Sequence, residues 1–327
     1  MQYRPLGKSG LQVSEVGLGG NRLGEQYQSD RYWIELIETA VDLGVTLFDT
    51  AESYAKSRSE EMLGLALGKR DDIFVATKAK PMSVDGRGEL TYTAPMMQKK
   101  VEESLRRLRR DVIDIYQLHS PSRTVLENSD WLDGMNSLRD QGKIRLRGVA
   151  IKSPEVGIWL IEQGAVDVLQ VTYNIFETAV ADELFALAEA QGVGLLGRMP
   201  IARGVLTGKF HPNEQVDEEH RAQRAGWRLS GMIEKAEDLR SLGDQYTGGM
   251  TRLAHHYSLT PEVVSAIIPG ARTLDQLMEN VAASNGVGLP MLEQKQIRRI
   301  QKKWSRAAFA QRVRSFLKRK LSPIVSS

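Results

Sequence analysis

Eight short apolar runs, each separated from the next by a stretch with helical spacing, constrain this chain more than any other feature. The runs are Val16–Gly19, Val45–Asp49, Ile73–Lys78, Val112–His119, Ile144–Ile151, Val168–Tyr173, Val193–Met199 and Val263–Pro269. Between them apolar residues recur every three or four positions, as in Trp33, Ile34, Ile37 and Val41, in Met62, Leu63 and Leu67, and in Val101, Leu105 and Leu108. Strands that alternate with helices must run parallel and be covered on both faces. Eight such units predict an α/β fold, most economically a closed (β/α)8 TIM barrel. A doubly wound sheet is the alternative, disfavoured because no split into halves is visible. Ahead of the first unit, Gln2–Leu6 and Leu11–Val13 flank Gly7-Lys8-Ser9-Gly10, which predicts an N-terminal β-hairpin plugging one barrel end.

The 327 residues exceed slightly what a bare barrel needs. Two segments take up the surplus. The stretch Pro200–Glu262 contains the polar, aperiodic Lys209–Trp227, which reads as a lid or binding loop. Residues 291–327 form a basic C-terminal extension with eleven Lys or Arg and the single acid Glu293. Residues 1–290 thus make the barrel and 291–327 an amphipathic helical tail. In the tail Ile297, Ile300, Trp304, Ala308, Val313, Phe316 and Leu321 recur at roughly helical spacing. Its simplest role is a helix docked on the acidic body. A sharper one is weak contact with an anionic membrane surface. The acidic body argues against nucleic acid as a partner.

Cysteine is absent, which excludes disulfides, thiolate metal sites and a cysteine nucleophile. The N-terminus carries no signal-like apolar run, and no segment has the apolar length of a membrane span, so a cytoplasmic location is expected. Other motifs fail. Gly17-Leu18-Gly19-Gly20-Asn21-Arg22 has Arg22 in place of the third glycine of a dinucleotide fingerprint, and Gly7-Lys8-Ser9 lacks the upstream glycine of a phosphate loop. The five histidines show no zinc spacing, and His255-His256 is expected on a helix near the surface.

In such a barrel, chemistry sits where the strands end. Three runs close on ionisable residues: Asp49 after Val45-Thr46-Leu47-Phe48, Lys78 after Ile73–Thr77, and His119 after Val112–Leu118. Tyr54 follows Asp49 by five positions, and Gln170 interrupts the sixth run. An apolar strand should not finish on an unpaired lysine, and Asp49 on the neighbouring strand is the natural counter-ion. Alone, that pair could be a structural ion pair at the rim. Four such residues converging on one mouth point instead to acid–base work. A lysine beside a tyrosine stabilises the phenolate, so Tyr54 can give its proton to a carbonyl oxygen as hydride arrives at carbon. His119 would hold that oxygen.

The motifs carrying these residues resemble the aldo-keto reductase family from Tyr3 to about Ala283. They include Phe48-Asp49-Thr50-Ala51-Glu52-Ser53-Tyr54, Ala76-Thr77-Lys78, Asp114-Ile115-Tyr116-Gln117-Leu118-His119, Gly204-Val205-Leu206-Thr207-Gly208-Lys209, and Pro269-Gly270-Ala271-Arg272 with Glu279-Asn280. The resemblance implies reduction of a small-molecule carbonyl by NADPH, with Asp49, Tyr54, Lys78 and His119 catalytic. It implies that Gln170 holds the nicotinamide carboxamide, that Leu206, Gly208 and Lys209 cover the pyrophosphate, and that Gly270, Arg272, Gln276, Glu279 and Asn280 hold the adenosine end. A helix N-terminus near Thr273 and a guanidinium fork at Arg272 suit a phosphate.

Three positions depart from the family pattern. The fifth strand ends Gly148-Val149-Ala150-Ile151 where the family usually has Gly-Val-Ser-Asn. Arg198 stands where an aromatic often stacks on the nicotinamide. Ala55-Lys56-Ser57-Arg58 replaces the Gly-x-Gly after the tyrosine. A permanently charged Arg198 beside the ring would repel only its oxidised form, favouring NADPH over NADP⁺; facing the substrate instead, it would select acidic or phosphorylated carbonyls. Two other readings of the chain are an NADPH-binding sensor with little catalysis and a Schiff-base lyase using Lys78. Met82, Tyr92, Trp227 and Tyr27 are the expected lining of the substrate pocket.

Overall fold

The computed structural model describes residues 1–83, 90–212 and 226–321. Strands β1 (Tyr3–Pro5) and β2 (Gln12–Ser14) pair antiparallel, forming the expected hairpin. Among the described residues the main sheet has eight strands: β3 (Leu18–Gly19), β4 (Leu47–Asp49), β5 (Phe74–Ala79), β8 (Ile113–His119), β9 (Ile144–Ala150), β10 (Val168–Thr172), β11 (Gly194–Arg198) and β12 (Val264–Ile267). All seven neighbouring pairs are parallel. The first and last strands also meet, through parallel bridges Val16↔Ile267 and Gly19↔Gly270, so the sheet closes into a barrel. Each strand falls within a run named above or overshoots it by a single residue. The sequence does not signal the small antiparallel pair β6 (Met82–Ser83) and β7 (Leu90–Thr91).

Helices α1 (Asp30–Asp42), α2 (Arg58–Leu67), α3 (Ala94–Leu108), α4 (Arg123–Glu127), α5 (Trp131–Asp140), α6 (Pro154–Glu162) and α7 (Leu184–Gln191) separate successive strands. Their starts have local causes. Ser29 caps α1 by accepting from the Tyr32 amide, and Thr93 caps α3 by accepting from Met96. The apolar stripes bury against the strands; Trp33, Leu36 and Ile37 of α1 are fully buried.

Inside the barrel lies a separate apolar layer of Leu47, Ala76, Ile115, Val168, Leu196 and Ala266, closed from one end by Leu6 and Val13 of the hairpin. The hairpin is therefore the plug the sequence predicts. Arg4 fastens it, pairing with Glu15 at 2.7 Å and donating to the carbonyls of Leu259 and Val264.

Later helices are α8 (Gly226–Glu237), α9 (Arg240–Gly243), α10 (Gly249–Leu259), α11 (Leu274–Val281) and α12 (Met291–Leu321). Contacts divide the chain into two compact units, Met1–Arg203 with Ala254–Gly288, and Gly204–Leu253 with the segment from Leu289 onward. The barrel belongs to the first. Within the second, the Trp304 indole donates to Asp238 at 2.8 Å, Tyr246 donates to Glu293, and Ile297 is fully buried. Arg298, Arg299, Lys302, Lys303 and Arg306 are exposed on α12. The side chains of Ala308, Val313, Phe316 and Leu321, and most of the stretch Lys209–Trp227, lie outside the described residues. Among the described residues no helix is long and apolar enough to cross a membrane.

One expectation is corrected. His255 and His256 do lie on a helix, α10, but are buried, His255 completely. Leu253, Ala254, Ser258 and Leu259 are buried beside them, so this part of α10 has no outward polar face for the histidines to occupy.

Candidate active site

Side chains alternate across a strand, so the residue two positions beyond each interior apolar one must also point inward. Leu47 is followed in this way by Asp49, Ala76 by Lys78, Ile115 by Gln117 and His119, Val168 by Gln170, and Leu196 by Arg198. An apolar floor is thus covered by a polar layer at the end where the strands finish. Gly148 leaves room in that layer, because a Cβ there would lie 2.7 Å from Gln117 Cγ.

Lys78 and Asp49 are almost fully buried. Lys78 Nζ donates to both carboxylate oxygens of Asp49 and to the Thr50 carbonyl, each at 2.7 Å. Asp49 Oδ1 also accepts from Gln170 Nε2 at 2.7 Å and from Gln117 Nε2 at 3.3 Å. The ion pair is thus held rigidly by neutral amides on β8 and β10. The ammonium lies 5.2 Å from the centre of the Tyr54 ring, and Tyr54 and His119 meet edge to face at 5.8 Å between centroids. The structure therefore brings all four of Asp49, Tyr54, Lys78 and His119 together.

Tyr54 begins a short 3-10 turn, Tyr54–Ser57, in which Ala55, Lys56 and Ser57 have φ of 46°, 55° and 73°. These are the positions where the family pattern has Gly-x-Gly. The turn keeps its left-handed shape without glycine, at a cost of about 1–2 kcal/mol per residue. The Ser57 hydroxyl ties it down by donating to the Glu52 carbonyl at 2.8 Å.

Burial, followed by the charges of Lys78, Lys80, Arg198 and Lys152, pushes the His119 pKa down to about 3. His119 is therefore neutral at physiological pH and cannot serve as the proton source there. Among the described residues its Nδ1 is buried without a partner, as are Gln117 Oε1 and Arg198 Nε. Arg198 ends β11 and donates to the Ile151 carbonyl at 3.2 Å. The Ile151 side chain packs into the apolar layer outside the barrel, so the expected polar contact is replaced there by aliphatic packing, while Ala150 faces the mouth.

The adenosine-end residues also assemble. Thr273 caps α11, the Arg272 amide donates to Gln276 Oε1 at 2.9 Å, and Asn280 Nδ2 donates to the Gly270 carbonyl at 3.2 Å. Glu279 is half-buried on the same helix, and Tyr32 donates to the Arg272 carbonyl at 3.0 Å. Leu206, buried, Gly208 and the exposed Lys209 fall in the second unit, where the Gly208 carbonyl accepts from Arg240.

Of the expected pocket lining, Tyr92 is instead a fully buried core residue whose hydroxyl donates to the Ala79 carbonyl at 3.1 Å. Met82 and Tyr27 are about half exposed, and the Trp227 side chain lies outside the described residues. Sequence reasoning passed over Gln117, although a polar residue two before His119 in an apolar strand marks the same inward face. It also passed over Lys80 and Lys152, one residue past β5 and two past β9.

The sequence model of the Aldo/keto reductase family matches residues 15–305. An oxidoreductase of Bacillus subtilis, YqkF, is 32% identical over 292 residues, 87% of this chain and 92% of the relative. The L-galactose dehydrogenase of Arabidopsis thaliana is 28% identical over 300 residues, 86% of this chain and 88% of the relative. The holo structure of aldo-keto reductase AKR11C1 from Bacillus halodurans superposes with a TM-score of 0.77 at 28% identity, covering 92% of this chain and 96% of that one.

Proposed function

Because the chain belongs to the aldo/keto reductase family, we propose that it is an NADPH-dependent reductase of an aldehyde or ketone in which Tyr54 delivers the proton. The observation that carries this reading is that the Tyr54 ring lies 5.2 Å from the buried, fully bonded Lys78 ammonium and meets the ring of a neutral His119 edge to face. A carbonyl oxygen gains negative charge as its carbon is reduced. Tyr54 then gives up its phenolic proton, and the phenolate left behind is stabilised by the adjacent ammonium. Neutral His119 donates a hydrogen bond that orients the oxygen. Asp49 holds Lys78 in place, and the amides of Gln117 and Gln170 hold Asp49.

The residues fit a nicotinamide cofactor. Among the described residues three buried polar atoms around the mouth lack protein partners, which suits a ligand carrying both donors and acceptors. When bound, the nicotinamide supplies the hydride. Gln170 and Arg198 stand at its reacting end, and Gly270, Arg272, Gln276, Glu279 and Asn280 would hold the adenosine end. Arg272, at the start of a capped helix, can fork onto a 2′-phosphate. The Schiff-base reading is disfavoured, because three oxygen acceptors engage the Lys78 ammonium and leave no free amine.

Loss of reduced-cofactor absorbance with a panel of aldehydes tests the reading. Turnover should be faster with NADPH than with NADH. Arg272→Ala should weaken NADPH binding by about ten-fold or more and NADH binding much less. Equal losses would remove Arg272 from cofactor choice. Tight NADPH binding without turnover of any carbonyl would favour the sensor reading.

A further inference from the structure

A buried charge normally has a partner. Arg198 is largely buried, yet among the described residues no carboxylate forms an ion pair with its guanidinium. Its protein contacts are neutral: the Ile151 carbonyl at 3.2 Å and the Met199 sulfur at 3.9 Å, with Nε left over. Two of the acids nearest it are paired with other cations: Asp49 with Lys78, and Glu52 with Lys100 at 2.5 Å. Glu177, bonded to the neutral Asn174 amide at 3.0 Å, keeps its charge but forms no ion pair with Arg198.

The strand register places this charge at the reacting end. Arg198 bonds the residue that follows Ala150, Ala150 is the register partner of His119, and His119 lies edge to face with Tyr54. Lys80 and Lys152, just past the ends of the strands flanking that of His119, add two exposed cations that also act on His119. With Asp49 and Glu52 paired, Arg198, Lys80 and Lys152 outnumber Glu177, so the mouth is positive. The helix at Arg272 is a separate place for cofactor phosphates, so the anion that Arg198 lacks belongs to the other reactant.

We propose that Arg198 is the specificity residue of this site and that the substrate is a carbonyl compound bearing its own carboxylate or phosphate group, which the guanidinium binds while Tyr54 and His119 hold the carbonyl oxygen. The proposal rests on the reductase reading above. A guanidinium fork binds either anion through two parallel hydrogen bonds.

Two matched pairs of substrates test it: 4-oxobutanoate against its methyl ester for carboxylate, and glyceraldehyde 3-phosphate against glyceraldehyde for phosphate. With NADPH the anionic member of at least one pair should show kcat/KM higher by about ten-fold or more, mainly through KM, and that pair identifies the anion. Whatever Arg198→Gln does to overall turnover, it should collapse this ratio to about one, and Arg198→Lys should restore part of it. A wild-type preference for the neutral member of both pairs, or an unchanged ratio in Arg198→Gln, overturns the proposal. A thermal shift with the same four compounds separates this from failure of the reductase reading. Stabilisation by an anionic compound alone, lost in Arg198→Gln, supports the anion site even if nothing is reduced. Charge-blind stabilisation, or none with any of the four, counts against it.

Discussion

The two ends of the barrel are built from the same eight strands but solve opposite problems. At the plugged end the buried carboxylate has a full set of partners. Glu15 is completely buried, yet it accepts from Arg4, from the Ser284 hydroxyl and from the Gly286 amide, all within 2.9 Å. Where the chain there must turn left-handed and pass close to itself, it uses glycine. Gly7, with φ of 52°, and Gly192, with φ of 66°, approach so closely that a Cβ on Gly7 would lie 2.4 Å from the Gly192 carbonyl oxygen. At the open end Gln117, His119 and Arg198 keep buried polar atoms without protein partners. Left-handed turns there fall on Gly24 but also on the non-glycine residues Ala55, Lys56, Ser57, Ser120, Met199, Ala202 and Arg203. Among the described residues Arg110 Nε, just ahead of β8 at the plugged end, is also buried without a partner, but strained turns and unsatisfied groups gather at the open rim and mark a surface shaped for a ligand rather than for stability. Arg109, left-handed at the C-cap of α3, is an exception in a turn that leads into a strand.

Substitutions at each end can break that contrast. The largest stability effect is expected at the plugged end. Gly7→Ala should destabilise by about 3 kcal/mol, from the added clash and the left-handed φ, with kcat of the folded protein nearly unchanged. Denaturant melts paired with active-site titration check it; a loss of kcat there would mean that the ends are not independent.

A smaller effect belongs to His119. Its folded pKa of about 3 lies below the unfolded value near 6.5. Above pH 6.5 both states hold it neutral, and it contributes no pH dependence. Between the two values only the unfolded state takes the proton, so stability falls as pH drops. From pH 7 to pH 5 this amounts to about 2 kcal/mol, and His119→Gln should lack that slope. Parallel melting curves of the two proteins across this range measure it; identical slopes would mean that His119 protonates as readily in the folded protein.

The smallest effect is at the strained turn. Lys56, exposed and left-handed, is replaced at little steric cost by glycine, so Lys56→Gly should stabilise by about 1 kcal/mol while kcat falls as the Tyr54 turn loosens. A variant both more stable and fully active would mean that the strain serves no purpose.

Much of this contrast could be read from the sequence. The barrel strands were visible because parallel strands covered on both faces are continuous apolar runs, and Asp49, Lys78 and His119 were visible because they end such runs with a charge or an imidazole. The hairpin plug was visible in Gly7-Lys8-Ser9-Gly10. Other features depend on contacts between distant segments and leave no local trace. Tyr92 reads as a pocket aromatic, but its hydroxyl is claimed by Ala79 and its ring by the core. His255-His256 reads as surface, but α10 is enclosed along that stretch. Arg198 was legible as a departure from the family pattern. That no acid neutralises it depends on where Asp49, Glu52 and Glu177 spend their bonds, which only the assembled fold decides.

In the proposed mechanism everything at the open end turns on Tyr54 as the proton donor. Tyr54→Phe keeps the ring beside Lys78 and His119 and removes only the hydroxyl. Single-turnover reduction of an aldehyde by the NADPH-loaded variant should be slower by about a thousand-fold or more, with NADPH affinity within about two-fold of wild type. Reduction at the wild-type rate would contradict the account, because neutral His119 could not have supplied the proton and the catalytic acid would have to lie elsewhere.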